Sequence, residues 1–399
     1  MRILQVTPYY FPEVKFGGPP RKIHAISTAL RERGHYVTVL TFHSERPFSR
    51  ERLDIDGVTV QYLPWAGKKL RQVSTKLEPI AKSVQHADVV HLYGLYNLLC
   101  PIAAWISHTK GIPYFLEPLG MFVPRARNLL LKSLYNRLVT SWMSRRAAGV
   151  IATSPAERED LNSVVEEGRL TLRRNGINPA KFQNLPSGTI FRRRHRVPEG
   201  SRIVLYVGRI SPIKNLEQLL LAFANAELEN TVLVLAGPLL EPDYERKIRS
   251  LIRDKHLEPC VFLTGPIFGE QKLSALAAAE LFVLPSLNES FGNAAAEAVA
   301  AGLPVLLTKQ CGIAPFIHLR AGYSVPLGTN NLEAGLRMMM SDLSQRAALT
   351  AEREAVIREL CWSEPVRQTE ELYRNALDAA TRKPRASSQG VARPAEVRQ

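Results

Sequence analysis

Twice along this chain a short apolar run is followed by a loop, an amphipathic helical stretch and another apolar run, and that alternation restricts the fold more than any other feature. The first set opens with "RILQVTP", passes through "YYFPEVKFGG" and "PPRKIHAISTALRERGH", and returns in "YVTVLTF". Its further strand candidates are "VTVQYLP" (58–64), "ADVVHLYG" (87–94), "PYFLEP" (113–118) and "AGVIATS" (148–154). The second set reads "RIVLYVG" (202–208), "TVLVLAG" (231–237), "CVFLTG" (260–265), "AELFVLPS" (279–286), "PVLLT" (304–308) and "YSVPL" (323–327). Strands separated by helix-length segments pair in parallel, with the helices covering the sheet faces. Each set is therefore read as a doubly wound α/β sheet, and 399 residues are too many for one core. The expected units are a Rossmann-like domain over residues 1–190, a second over 200–362, a terminal helix over 363–380 and a compositionally disordered tail over 383–399. The polar stretch "QNLPSGTIFRRRHRVPEGS" between the two sets is read as the interdomain linker.

Open α/β sheets bind ligands in the crevice beyond the carboxyl ends of their strands, so two such sheets in tandem direct attention to the loops that follow the strands. After "LYVG" comes "RISPIKN", which sets Arg209 and Lys214 five residues apart just before a helix near Leu216. A guanidinium, an ammonium and a helix N-terminus suit a diphosphate when no metal is present. After the first strand, Gly17 and Gly18 precede Pro19 and Pro20, where small residues allow a ligand close to the backbone or simply serve a turn. After "LFVLPS" the chain reads "NESFGNAAAE": Glu289 in a loop, then a helix carrying Glu297 and ended by Gly302 and Pro304. Backbone N–H groups from about Ser290 to Asn293 point out of that helix start, where an anion or a sugar oxygen can accept from them. Two solvated charges on a surface helix would show the same spacing.

Taken together, "GGPP", "RRNGIN", "VGRISPIKN" and "NESFGNAAAEA" occur in an order and spacing that resembles the retaining glycosyltransferases of family 4, over roughly residues 1–380. The resemblance implies the GT-B fold, with two Rossmann-like domains facing each other across a cleft and the final helix, "CWSEPVRQTEELYRNAL", crossing back to the first. It implies transfer of a sugar from a UDP- or GDP-sugar to an acceptor hydroxyl with retained configuration, same-face attack being assisted by the leaving phosphate. Residue by residue, it implies Glu289 at the transferred sugar, backbone groups of Phe291, Gly292 and Asn293 at the sugar and distal phosphate, and Glu297 at the ribose hydroxyls. Arg209 and Lys214 would take the diphosphate, while Gly17 and Gly18 close over the donor from the other domain. No cofactor is expected beyond the donor substrate. One departure stands out: where many relatives carry a His before the Gly of "PYFLEPLGMF", this chain has Leu119, preceded by Glu117 and Pro118. Either Glu117 takes over polar contacts in the cleft, or the donor has less need of that hydrogen bond.

Charge and cysteine placement narrow the setting. Residues 1–200 hold 30 Lys+Arg against 15 Asp+Glu, whereas 201–399 hold 22 against 22, so the whole excess of +15 lies in the first half. An anionic partner for that half is expected. Between Pro124 and Ala147, "RARNLLLKSLYNRLVTSWMSRR" sets Arg125, Arg127, Lys132, Arg137, Arg145 and Arg146 around Leu129, Leu130, Leu134, Leu138, Val139, Trp142 and Met143. Such a stretch suits an anionic membrane surface, though its apolar face would equally pack on the sheet. The expectation is a cytoplasmic enzyme, peripheral on the membrane, acting on a lipid-linked or lipopolysaccharide-like glycan acceptor. The apolar run 89–106 is interrupted by His91, Gly94, Asn97 and Pro101 and reads as strand, loop and helix rather than a span. Cys100, Cys260, Cys311 and Cys361 are scattered without CxxC spacing, which argues for a reducing compartment and against zinc. "DID" at 54–56 imitates a metal-binding DxD but runs into Gly57 as a turn, and no histidine has a partner at metal spacing. Two further readings are a sugar-nucleotide epimerase on the same fold and a non-catalytic basic binding protein. A nucleic-acid partner is not expected, since no RNP-like or helix-turn-helix motif appears.

Overall fold

The computed structural model describes residues 1–13, 18–47, 51–67, 72–123, 129–341 and 343–382. Gly17, Arg125 and Arg127 and the tail 383–399 lie outside the described residues. The chain forms two α/β halves. The first sheet contains β1 (Arg2–Val6), β2 (Tyr36–Phe42), β3 (Arg52–Ile55), β4 (Val58–Leu63), β5 (Val89–Tyr93), β6 (Tyr114–Glu117), β7 (Gly149–Ala152) and β8 (Leu170–Leu172). Their order is β8-β7-β6-β5-β1-β2-β4-β3, parallel throughout except for β3, which runs antiparallel to β4. The hairpin turn between them holds "DID": Asp56 sits at φ 52° and Gly57 N–H donates to Asp54 Oδ1 at 2.7 Å.

Alternation along the strands buries both faces. On one side Leu4, Val6, Leu40 and Phe42 pack with the helices Glu78–Gln85 and Leu99–Thr109. On the other, Ile3, Val37 and Val39 pack with Ile23, Ile26 and Leu30 of the helix Gly18–Glu32. Val366 and Tyr373 of the terminal helix Ser363–Arg382 join this second face, so the chain's last helix returns to the first half. Their seven-residue spacing is two helical turns, which puts both on one stripe.

The second sheet contains β9 (Arg202–Val207), β10 (Thr231–Ala236), β11 (Val261–Gly265), β12 (Leu281–Leu284), β13 (Val305–Thr308) and β14 (Gly322–Val325). All are parallel, in the order β11-β10-β9-β12-β13-β14, the doubly wound arrangement. The stretch read as a linker is not one throughout. Residues Gly188–His195 form a helix capped by the Ser187 hydroxyl, and its Phe191 is buried in the core of the second half. The run of arginines masked this helix, because a single buried aromatic gives no periodic signal.

Candidate active site

The order of the parallel strands reverses between β1 and β5 in the first sheet and between β9 and β12 in the second, and Gly18, Lys214 and Glu289 follow strands at these reversals. The loop after β9 turns through Pro212–Lys214 into Asn215, held in a left-handed conformation at φ 56°, before the helix Leu216–Ala226. Asn tolerates that conformation better than most residues. Asn215 Nδ2 donates to Pro285 O at 3.1 Å, and Leu287 N–H donates to Ile213 O at 2.9 Å, lacing this loop to the one after β12. The lacing brings Lys214 Nζ onto Glu289 Oε2 in a direct ion pair. On its other side Glu289 is fixed by the loop after β13: its N–H donates to Gln310 O at 3.2 Å and its carbonyl accepts from Gly312 N–H at 2.9 Å. Both side chains keep access to solvent, Lys214 at 15% and Glu289 at 21%.

Downstream, Phe291 is buried in the core, leaving its backbone as the part that can face a ligand. Gly292 at φ 108° starts the helix Asn293–Ala300, a conformation that a side chain at this position would strain. Glu297 lies on that helix. Its Oε1 is held at 2.8 Å by Lys272 Nζ, from the helix Glu270–Ala278. The buried alanines Ala295, Ala296 and Ala298 let the Glu297 helix sit close on the sheet. Arg209 is exposed on the loop after β9 and forms no ion pair with a described residue, so Lys214 and not Arg209 is the cation brought to the carboxylate.

The first half meets this surface at small residues. A Cβ on Gly18 would lie 2.9 Å from Asn293 Nδ2, and one on Gly120, itself at φ +75°, would lie 2.6 Å from Ser290 Cβ. Asn175 of "RRNGIN" donates from Nδ2 to Asn293 Oδ1 at 3.2 Å. The cleft wall is thus built by Gly18, Gly120 and Asn175 against Ser290 and Asn293, with Glu289 adjoining.

Glu117 does not reach into that cleft. It is fully buried, paired with Lys22 through Oε1 and with Arg173 Nη2 through Oε2 at 2.6 Å, while His91 Nε2 lies 3.5 Å away. Burial opposes its ionisation, but the Arg173 guanidinium and Lys22 ammonium outweigh burial and hold the carboxyl below the usual carboxylate range. Burial pushes Lys22 down to about 8 and His91 down to about 4. The terminal helix closes the cluster: Arg173 Nη1 donates to Thr369 Oγ1 at 2.9 Å, and Tyr373 Oη lies 2.5 Å from His91 Nδ1. Of the two explanations for the missing histidine, polar contact from Glu117 is removed, since both its oxygens are engaged below the cleft floor.

Sequence reasoning singled out Glu289, Lys214, Glu297 and Gly18 as candidates but assigned nothing to Lys272 or Asn175. Asn175 stood in a quoted motif without a role. Lys272 carries no signal, being an ordinary helical lysine 25 positions before the glutamate it holds.

Comparison with known proteins agrees with this architecture. A model of the glycosyl transferase 4-like domain matches residues 17–176, and one of glycosyl transferases group 1 matches residues 188–354. The GDP-mannose:cellobiosyl-diphosphopolyprenol alpha-mannosyltransferase of Xanthomonas oryzae pv. oryzae is 30% identical, covering 69% of this chain and 70% of its own. The D-inositol 3-phosphate glycosyltransferase of Kineococcus radiotolerans is 26% identical, covering 90% and 91%. Among solved structures, sucrose-phosphate synthase from Thermosynechococcus elongatus superposes with a TM-score of 0.77 at 22% identity, covering 95% of this chain and 99% of its own. With the two facing sheets, the returning helix and the Lys214–Glu289 pair at the strand reversal, the chain belongs to the family 4, group 1 glycosyltransferases of the GT-B fold.

Proposed function

We propose that this glycosyltransferase moves a sugar from a UDP- or GDP-sugar to a hydroxyl of a lipid-linked or polysaccharide-precursor acceptor, with retention and without a metal ion. The observation that carries the reading is the Lys214–Glu289 pair, open to the cleft at the strand reversal and followed eight residues later by Glu297. Breaking an anomeric bond develops positive character on the sugar and negative charge on the departing diphosphate. Glu289 would hold sugar hydroxyls beside the anomeric carbon. Lys214, the exposed Arg209 and the N–H groups at the start of Asn293–Ala300 supply positive potential for the leaving group. Glu297 accepts the ribose hydroxyls. The Xanthomonas relative, whose name gives a GDP-sugar donor and a diphosphopolyprenol acceptor, supports both halves of the reading.

The acceptor side adds a second observation. The helical stretch 129–146 turns Trp142 and Met143 inward but leaves Leu129, Leu130, Leu131, Leu134 and Leu138 exposed, Leu130 at 88%. Trp105, on the helix Leu99–Thr109 that packs against it, is also exposed. The apolar face expected to cover the sheet is therefore split. Leucines on solvent, with Arg137, Arg145 and Arg146 exposed nearby, suit the interface of an anionic bilayer, where apolar insertion and charge attraction act together. Among the described residues no helix is long and apolar enough to cross a membrane.

The test is a panel of UDP- and GDP-sugars with a polyprenyl-diphosphate-linked glycan, with and without EDTA, and with the anomeric product assigned by NMR. Transfer with retained configuration, unchanged by EDTA, is expected. An isomerised sugar nucleotide without acceptor use would make the protein an epimerase, and activity restored only by Mg²⁺ or Mn²⁺ would remove metal independence. Flotation with phosphatidylglycerol vesicles at low salt tests the surface: wild-type protein floats, and Leu130→Ser with Leu134→Ser and Leu138→Ser does not.

A further inference from the structure

Lys272 stands apart from the loops that carry Glu289 and Lys214, on a helix that otherwise packs Ser274, Ala275, Leu276 and Ala278 into the second half. Lysine stems usually run out to water. This side chain is only 11% exposed, and its ammonium is spent on Glu297. With Glu297 24% exposed, the pair is as partly covered as Lys214–Glu289 and contributes little net stability, so its place at the helix Asn293–Ala300 calls for another reason.

On the reading that Glu297 accepts the ribose hydroxyls, the geometry points to Lys272 as a positioning residue for nucleotide recognition. A carboxylate offers about four acceptor positions. Lys272 occupies one on Oε1, which fixes the rotamer of a side chain that would otherwise sample several, and leaves Oε2 and the remaining position on Oε1 for a vicinal diol. The site thereby repeats one device: each carboxylate, Glu289 and Glu297, is held by its own ammonium, Lys214 and Lys272, from a different post-strand segment.

Isothermal titration of the full chain with UDP and GDP and with their 2′,3′-dideoxy counterparts decides the matter. Wild-type protein is expected to prefer the ribose form of whichever base it accepts by about tenfold or more, as hydrogen bonds to a charged group allow. Lys272→Met is expected to lose most of that preference while binding the dideoxy nucleotide as wild type does, which also shows that its site is folded; Lys272→Arg recovers the preference. Donor kinetics follow the same split, with KM raised and kcat little changed. If Lys272→Met keeps the full ribose preference, the pair is structural only and the proposal is overturned while the ribose assignment stands. If wild type itself does not distinguish ribose from dideoxyribose, the assignment of Glu297 fails, and the role of Lys272 with it.

Discussion

Lys22–Glu117 in the first half and Lys214–Glu289 in the second are the same chemical pair at similar stations. In each, a lysine follows the central strand of its sheet, and a glutamate ends or follows another strand at the carboxyl edge. The difference is burial. Lys22 and Glu117 are 4% and 0% exposed and are joined by Arg173, His91, Thr369 and Tyr373 into a closed cluster. Lys214 and Glu289 are laced by backbone hydrogen bonds but open to the cleft. With water excluded and every partner from the chain itself, the first pair can only hold elements together: the helix Gly18–Glu32, the end of β6 and the terminal helix. The second retains lone pairs and a cation that a ligand can use. A charged pair at a strand end is thus structural or functional according to what covers it.

The comparison breaks most easily at Arg173. Arg173→Met leaves Glu117 with one cation fewer in a dry site and is expected to cost about 3–5 kcal/mol of stability. Urea unfolding would measure it, and a loss below about 1 kcal/mol would mean that water reaches the cluster and that the two pairs are not different in kind.

At the open pair the loss falls on catalysis instead. Glu289→Gln is expected to lower kcat by about 10²–10³-fold, the range for removing one preorganised polar group, with the unfolding midpoint nearly unchanged. A variant that unfolds early but turns over normally would exchange the roles assigned to the two glutamates.

Acid sharpens the contrast. Burial keeps His91 neutral in the folded chain down to about 4, whereas the unfolded chain takes up the proton near its ordinary value of 6.5. Between those values the unfolded state binds more protons, so stability is fully present above 6.5 and falls as pH drops through the window, by about 2 kcal/mol from neutrality to pH 5. Glu117, held below the usual range, adds to the loss at lower pH. His91→Phe should shrink the difference in unfolding free energy between pH 7 and pH 5 by about this amount relative to the wild type.

The smallest effect is expected at Glu297. Glu297→Gln should raise the donor KM about tenfold with kcat nearly intact, because a ribose contact is made equally in ground and transition states. An equal fall in kcat would move Glu297 toward the reacting centre.

Much of this was legible in the chain alone. Period-two and period-3.6 apolar patterns reflect which faces must leave water, and they marked both sheets, the reversal loops and the position of Glu289 between a buried strand and a helix. Local chemistry marked the turn at Asp56–Gly57, because backbone conformation there depends on neighbouring residues only. The sequence did not show which glutamate is buried. "PYFLEPLG" and "LPSLNESFG" both place an acidic residue at or after a strand end, and only the packing of the terminal helix over the first face converts Glu117 into a closed hub. Nor did it show that Lys272 reaches Glu297, that Asn175 bonds Asn293 across the halves, or that five leucines of the 129–146 stretch face solvent. Each of these depends on contacts between segments distant along the chain. Periodicity reports that a face is apolar, whereas tertiary structure decides what, if anything, covers it.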